Sequence, residues 1–78
     1  MRILFFAHLK DVTGLAEIEW HGGPVDTEGF WRNLLARYPG LERFRPSVRL
    51  ARNGEYVQDG VLFSDTDEVA LIPPVSGG

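Results

Sequence analysis

The sequence contains no cysteine, and this absence removes several kinds of chemistry at once. Disulfide bonds, thiolate nucleophiles and cysteine-ligated zinc are all excluded. Histidine is scarce as well, since His8 and His21 are the only two and neither has metal-site spacing. Lys10 is the only lysine, so no glycine-rich segment has the spacing and lysine of a phosphate-binding loop. The chain therefore lacks the usual residues of a self-contained active site.

Long hydrophobic runs and an excess of positive charge are also missing. No apolar stretch approaches the roughly 20 residues of a membrane span, and no leader pattern is visible. We therefore expect a soluble, cytoplasmic protein without a membrane partner. The 78 residues suit one domain, and 44% hydrophobic residues allow a core closed by apolar packing alone. The net charge of −3 argues against nucleic acid as a partner.

The charges are unevenly distributed along the chain. Residues 32–52 contain a single acid, Glu42, and six arginines: Arg32, Arg37, Arg43, Arg45, Arg49 and Arg52. The other residues carry ten acids against Arg2 and Lys10. This asymmetry predicts a dipolar molecule, and leaves open whether the basic segment is a protein-docking face or ordinary solvated surface.

Two strongly apolar segments predict the central strands of a sheet. Residues 2–8, RILFFAH, show no polar alternation, which favours a strand buried on both faces. Residues 68–72 predict the last strand. Residues 16–20 alternate as a half-buried strand does, so we expect them to form a hairpin with the first strand. Between these two, residues 9–14 are interpreted as a turn.

The middle of the chain predicts one substantial helix and one further hairpin. Asp26 or Thr27 is a suitable N-cap, and Pro39-Gly40 ends the helix after about three turns. Its apolar stripe consists of Phe30, Trp31, Leu34, Leu35 and Tyr38. Residues 41–44 are expected to add a helical turn, and Asn53-Gly54 predicts a tight turn between two short strands. Residues 61–63 are expected to plug one end of the core.

The last six residues, PPVSGG, predict a tail that presents its own C-terminus. Pro73 and Pro74 end the strand because they cannot donate to a sheet ladder. Gly77 and Gly78 carry no side chain, so the terminal carboxylate suits a narrow channel in another protein. We therefore expect a folded domain over residues 1–72 and a flexible, extended tail over 73–78, reaching about 20 Å.

The predicted order, ββαβ(β)β, is that of the α+β β-grasp or ubiquitin-like fold. It implies a mixed sheet of four to five strands with one main helix packed on one face, and the first and last strands parallel at its centre. The sequence resembles the small, sulfur-carrying subunits of molybdopterin synthases. The matching segments are residues 4–7, Gly14, Tyr38-Pro39, Asn53-Gly54 and, most specifically, the block from Phe63 to Gly78. Thr66 departs from the pattern, which usually has glycine there.

This resemblance implies that Gly78 carries the reacting atom. In such carriers a partner activating enzyme consumes ATP to adenylate the C-terminal glycine, and a sulfur donor replaces AMP to leave a 1-thioglycine thiocarboxylate. The tail then threads into the large synthase subunit, within an expected heterotetramer, through Pro73, Pro74, Val75, Ser76 and Gly77. There the sulfur attacks cyclic pyranopterin monophosphate to form the dithiolene of molybdopterin. The ATP site, the general base and the pterin pocket belong to partners, and this chain is expected to hold no metal or cofactor.

Three further residues are predicted to contact a partner: Phe5, Leu9 and Ile72. Other readings stay open at this stage. A thiamine-pathway sulfur carrier has the same fold and activated end, and a ubiquitin-like modifier joins Gly78 to target lysines. A third alternative is a passive binding module, in which the terminal Gly-Gly has no role. Asp65, Asp67 and Glu68 form either a solubilising acidic turn or a weak cation site.

Overall fold

The computed structural model describes residues 1–58 and 60–74. It contains two α-helices, α1 (His8–Thr13) and α2 (Thr27–Arg37), and a 3₁₀ helix over Pro39–Ser47. Seven strands complete the described elements: β1 (Arg2–Phe5), β2 (Glu17–Glu19), β3 (Val25–Asp26), β4 (Arg49–Arg52), β5 (Glu55–Tyr56), β6 (Leu62–Phe63) and β7 (Glu68–Ile72). Five of them form one mixed sheet in the order β2-β1-β7-β4-β5, and β3 pairs with β6 in a separate two-stranded sheet.

The two most apolar strands lie side by side at the centre of the main sheet. β1 and β7 are parallel, with Ile3 opposite Val69 and Phe5 opposite Leu71. β4 flanks β7 in the antiparallel sense and places Leu50 opposite Leu71. The predicted central, parallel pairing of the first and last strands is therefore confirmed.

Helix α2 covers one face of this sheet. It begins where the sequence predicts, because the Asp26 carboxylate accepts a hydrogen bond from the Gly29 N–H at 2.8 Å. Phe30, Trp31 and Leu34 are buried, in one core with the inward side chains of β1 and β7. Burying side chains of this size contributes about 1.5–3 kcal/mol each. This arrangement is the β-grasp, or ubiquitin-like, fold.

Two turns in the second half of the chain agree with their sequences. Asn53 and Gly54, at φ 51° and 89°, both have the positive φ that a tight two-residue hairpin turn requires. Of the residues 61–63 that were expected to plug the core, Phe63 is fully buried, whereas Leu62 is 59% exposed, so the prediction was wrong for Leu62. Thr66 has no positive φ, so its turn has no need of the glycine that the family pattern carries there.

A second helix stands where the sequence analysis expected a turn over residues 9–14. Helix α1 buries Leu9 completely and ends at Gly14, whose φ of 77° is left-handed. Its N-cap is Ala7, which makes no side-chain capping bond. The prediction was wrong because this short helix has no polar N-cap residue that would indicate its start in the sequence.

The prediction that the first strand is buried on both faces was also wrong. Ile3 and Phe5 are buried on the helix side, whereas Leu4 is half-buried and Phe6 is exposed. Successive side chains of a strand point to opposite faces, and in the described residues α2 covers only one of them. Among residues 1–58 and 60–74, no element covers the other face, which is apolar at its centre.

Candidate functional site

The described part of the tail leaves from the end of the central strand. Ile72 is the last residue of β7 and lies opposite Arg49 of β4. Pro73 is half-buried and Pro74 is exposed. Val75, Ser76, Gly77 and Gly78 lie outside the described residues, so their predicted roles stay predictions.

The sheet surface next to this exit is the open face, defined here by Leu4, Phe6, Ala51, Tyr56, Ala70 and Ile72. These side chains line a shallow concavity of about 320 Å³ together with Gly54 and Glu68. Phe6 is 45% exposed and Tyr56 is 54% exposed. Apolar residues in a continuous patch on a small protein mark an interaction surface. The open face and the tail exit share Ile72, so they form one site.

The predicted docking residues divide between this face and the core. Ile72 lies on the open face, as a docking residue should. Phe5 and Leu9 are 2% and 0% exposed, so they stabilise the fold and present no surface to a partner. Of the two neighbouring phenylalanines, Phe6 is the exposed one, and sequence reasoning missed it. Successive side chains of a strand point to opposite faces, so the alternation along the apolar run could have indicated that Phe5 and Phe6 lie on different faces of the sheet.

The edges of the open face carry charge of both signs. At the β2 edge, Arg2 pairs with Glu17 at 3.1 Å and with Glu68 of β7 at 3.4 Å. At the β5 edge, the guanidinium carbon of Arg49 lies 3.8 Å from the centroid of the Tyr56 ring. The open face is therefore apolar in the centre, with an acid-rich pair network on one side and a cation on the other.

Other arginines of the basic segment are held against aromatic rings. Arg45 stacks on Trp31 at 5.5 Å and pairs with Glu28 at 2.6 Å. Further stacks join Arg37 to Tyr38 and Arg43 to Phe44. These stacks hold the arginine side chains against aromatic rings of the domain's own surface.

A hydrogen-bond network fixes the start of β7 to the β4–β5 turn. The Asn53 amide donates to the Asp67 carboxylate at 3.0 Å, and its oxygen accepts from the Glu68 N–H at 2.9 Å. Asp67 also accepts from the Ser64 N–H at 2.8 Å. These bonds lower the pKa of Asp67. The bond from Ser64 has the largest effect, and the bond from Asn53 has the next largest. The strand that leads into the tail is thus anchored at its beginning.

In the acidic turn before β7, backbone N–H groups of the same chain bind the Asp65 carboxylate. The Asp65 carboxylate accepts hydrogen bonds from the Gly23 and Gly22 N–H groups at 2.8 and 3.1 Å. The bond from Gly23 is the main cause of the lowered pKa of Asp65. Within residues 1–58 and 60–74, no cluster of three potential metal ligands occurs. These carboxylates have a structural role in the turn.

The histidines lie apart from the open face. The His8 ring packs against Phe44 with 4.9 Å between centroids. His21 lies 3.8 Å from Glu19 and is exposed.

Among the described residues, no helix has the length and apolar character needed to cross a bilayer.

Comparison with known proteins decides the family of this chain. The sequence profile of the ThiS family matches residues 3–78, which includes the whole tail. The chain belongs to the ThiS family. Two curated relatives are both named molybdopterin synthase sulfur carrier subunit. The protein from Chlamydomonas reinhardtii is 37% identical over 81 residues, covering 100% of this chain and 98% of its own length. The human protein is 32% identical over 83 residues, covering 100% and 93%.

Two solved structures have the same fold. SAMP1 from Haloferax volcanii superimposes with a TM-score of 0.84 at 29% identity, covering 100% of this chain and 98% of its own. A chain in the complex of subunits 1 and 2 of the molybdopterin-converting factor from Helicobacter pylori superimposes with a TM-score of 0.72 at 23% identity, covering 99% and 96%. At that identity the second comparison supports the fold alone.

Proposed function

We propose that this ThiS-family chain is the sulfur carrier subunit of a molybdopterin synthase and acts in the cytoplasm. The observation that carries the proposal is the full-length similarity, through the last glycine, to relatives that bear this name. The open face beside the tail exit supports it, because a carrier must be held by each protein that receives its tail. The Helicobacter pylori complex, which contains two subunits, gives a precedent for a large-subunit partner.

The chemistry of the proposal begins with activation of the Gly78 carboxylate. A carboxylate is a poor electrophile, so one of its oxygens first attacks the α-phosphorus of ATP on a partner activating enzyme and releases pyrophosphate. A sulfur donor, of the persulfide class, then attacks the acyl carbon of the adenylate and expels AMP. Reductive cleavage of the resulting acyl disulfide by a second thiol leaves the thiocarboxylate. The sulfur is therefore carried on the backbone, which suits a chain with no cysteine.

Transfer takes place in the large subunit. The thiocarboxylate sulfur attacks an oxygen-bearing carbon of cyclic pyranopterin monophosphate, and the carbon–oxygen bond at that carbon breaks as the oxygen leaves with a proton. Water then cleaves the acyl–sulfur bond, which leaves the sulfur on the pterin and restores the Gly78 carboxylate. Two such transfers build the dithiolene. In this scheme Gly77 provides clearance in the channel, Pro73 and Pro74 direct the tail away from the sheet, and the open face binds the large subunit in a heterotetramer. The carrier binds no cofactor of its own.

The first test is the intact mass of the chain after incubation with the activating enzyme, ATP and a persulfide donor. We expect the mass to rise by the difference between one sulfur and one oxygen atom. A chain lacking Gly78 is the matched control and should not change. An unchanged mass of the complete chain, with an activating enzyme shown to be active on another carrier, would contradict the proposal.

A second candidate function is that of a protein modifier, and one comparison favours testing it. A solved structure from Haloferax volcanii, at 27% identity and a TM-score of 0.82, is titled a small archaeal modifier protein. A modifier forms an isopeptide bond between Gly78 and a lysine of a target. Tryptic peptides of a cell lysate carrying a remnant of the tail on lysine would support this function, and their absence would leave the carrier function alone.

A further inference from the structure

Arg49 is the first residue of β4, the strand that flanks the end of β7. It lies opposite Ile72, the last residue of β7 before the two prolines. Its neighbour Leu50 is buried on the helix side, so the alternation of β4 directs Arg49 to the open face. The Arg49 backbone therefore lies beside the end of β7, and its guanidinium extends over Tyr56 of β5, the strand on the other side of β4.

The Arg49 guanidinium is held in place by Tyr56. Its carbon lies 3.8 Å from the centroid of the ring, a close cation–π stack. A guanidinium that stacks through its flat face leaves the N–H groups at its edge available for a planar, two-pronged acceptor such as a carboxylate. Within the described residues, none of the ion pairs includes Arg49.

Docking through the open face removes water from this guanidinium. A buried charge is costly unless it is paired, so a protein whose contact extends from Ile72 across Tyr56 binds better if it supplies an acidic group to Arg49. We propose that Arg49 binds a carboxylate of the large subunit at the mouth of the channel that receives the tail. This inference rests on the proposed function, because it takes the large subunit as the partner.

The opposite edge of the face explains why such a contact selects one orientation. There, Glu17 and Glu68 surround Arg2, whose charge they already neutralise. A partner rotated by half a turn would place its acid against these glutamates and lose the contact. Arg49 therefore fixes the direction in which the tail enters, in addition to contributing affinity.

The test compares two charge reversals of the same kind. Arg49→Glu removes the proposed contact, whereas Arg43→Glu changes a cation that stacks on Phe44 in the 3₁₀ helix, on the helix side of the sheet. Binding of each variant to the purified large subunit is measured by calorimetry. We expect Arg49→Glu to weaken binding about 30-fold or more and Arg43→Glu to weaken it by less than about threefold. Equal effects of the two reversals would overturn the inference.

A rescue experiment tests the identity of the partner group. Each acidic residue at the mouth of the large subunit's tail channel is changed to arginine, one at a time, and combined with Arg49→Glu. One such pair should regain at least a third of the lost affinity, and failure of every pair would overturn the inference. Thermal unfolding of the single variants checks that both remain folded.

Failure of this inference is distinguishable from failure of the proposed function. If the unchanged chain binds the large subunit but Arg49→Glu binds equally well, only the role of Arg49 is wrong. If the unchanged chain does not bind the large subunit at all, the partner itself is wrong and the proposed function fails with it.

Discussion

Two neighbouring phenylalanines, Phe5 and Phe6, are expected to have opposite roles, and substituting each of them separates folding from docking. Phe5 is 2% exposed in the core and packs edge-to-face on Tyr38 with 5.9 Å between ring centroids. Phe6 is 45% exposed on the open face. The same Phe-to-Ala change, one residue apart, therefore removes a core contact in one variant and a surface contact in the other.

The size of each effect follows from burial. Phe5→Ala should lower the free energy of unfolding by about 3–5 kcal/mol, which is a large share of the stability of so small a domain. A phenylalanine buries about 200 Å² when fully covered, so Phe6 has about 90 Å² left to bury on docking. At about 25 cal/mol per Å², Phe6→Ala should cost about 2 kcal/mol of binding, or roughly 30-fold in Kd.

The assay measures both quantities for both variants. Urea unfolding followed by circular dichroism gives stability, and calorimetry with the large subunit gives affinity. Leu62→Ala is the matched control, since Leu62 is 59% exposed but lies on β6, away from the open face. Phe5→Leu, expected to cost about 1 kcal/mol, provides a folded core variant if Phe5→Ala unfolds. The reasoning is refuted if Phe6→Ala is as unstable as Phe5→Ala, or if it binds as tightly as Leu62→Ala.

Two further predictions concern the scaffold that holds the tail. The pKa of Asp67 is lowered in the folded state, so its contribution to stability is present above the unfolded pKa and is lost as the pH falls through the folded one. Between about pH 5 and pH 2, Asp67→Asn should therefore lose less stability than the unchanged chain, and parallel pH curves from urea unfolding would contradict this. Gly54→Ala should cost about 1–2 kcal/mol, because Gly54 has φ 89° with open space around it. A Gly54→Ala melting temperature equal to that of the unchanged chain would show that the turn has another conformation.

The sequence predicted the two central strands more reliably than the exposure of the faces of the sheet. The parallel pairing of β1 with β7 was implied by the β-grasp fold that the order of the elements resembles, and the apolar character of both segments agreed with it. The sequence does not show that one face of these strands is open, because an apolar segment looks the same whether a second layer of the same domain or a partner protein covers it. That is why Phe5 was expected at the docking surface and Phe6 was overlooked.

Local signals explain the remaining successes and errors. Helix α2 and the β4–β5 turn were predicted because Asp26 and Asn53-Gly54 are strong backbone signals. Helix α1 was missed since it is short and its cap, Ala7, contributes no side-chain acceptor. The position of Arg49 on Tyr56 required the structure, because it depends on the register between two strands that a turn connects.

The most direct test of the central claim is a single turnover with the thiocarboxylate form of the chain. It is mixed with the large subunit and cyclic pyranopterin monophosphate, and the mass of the carrier and the yield of dithiolene product are followed together. The account predicts that each carrier loses one sulfur, returns to its original mass and contributes one sulfur to the product. A carrier that keeps its sulfur while bound to the large subunit, or a product that forms without its loss, would contradict the claim that Gly78 carries the sulfur that is transferred.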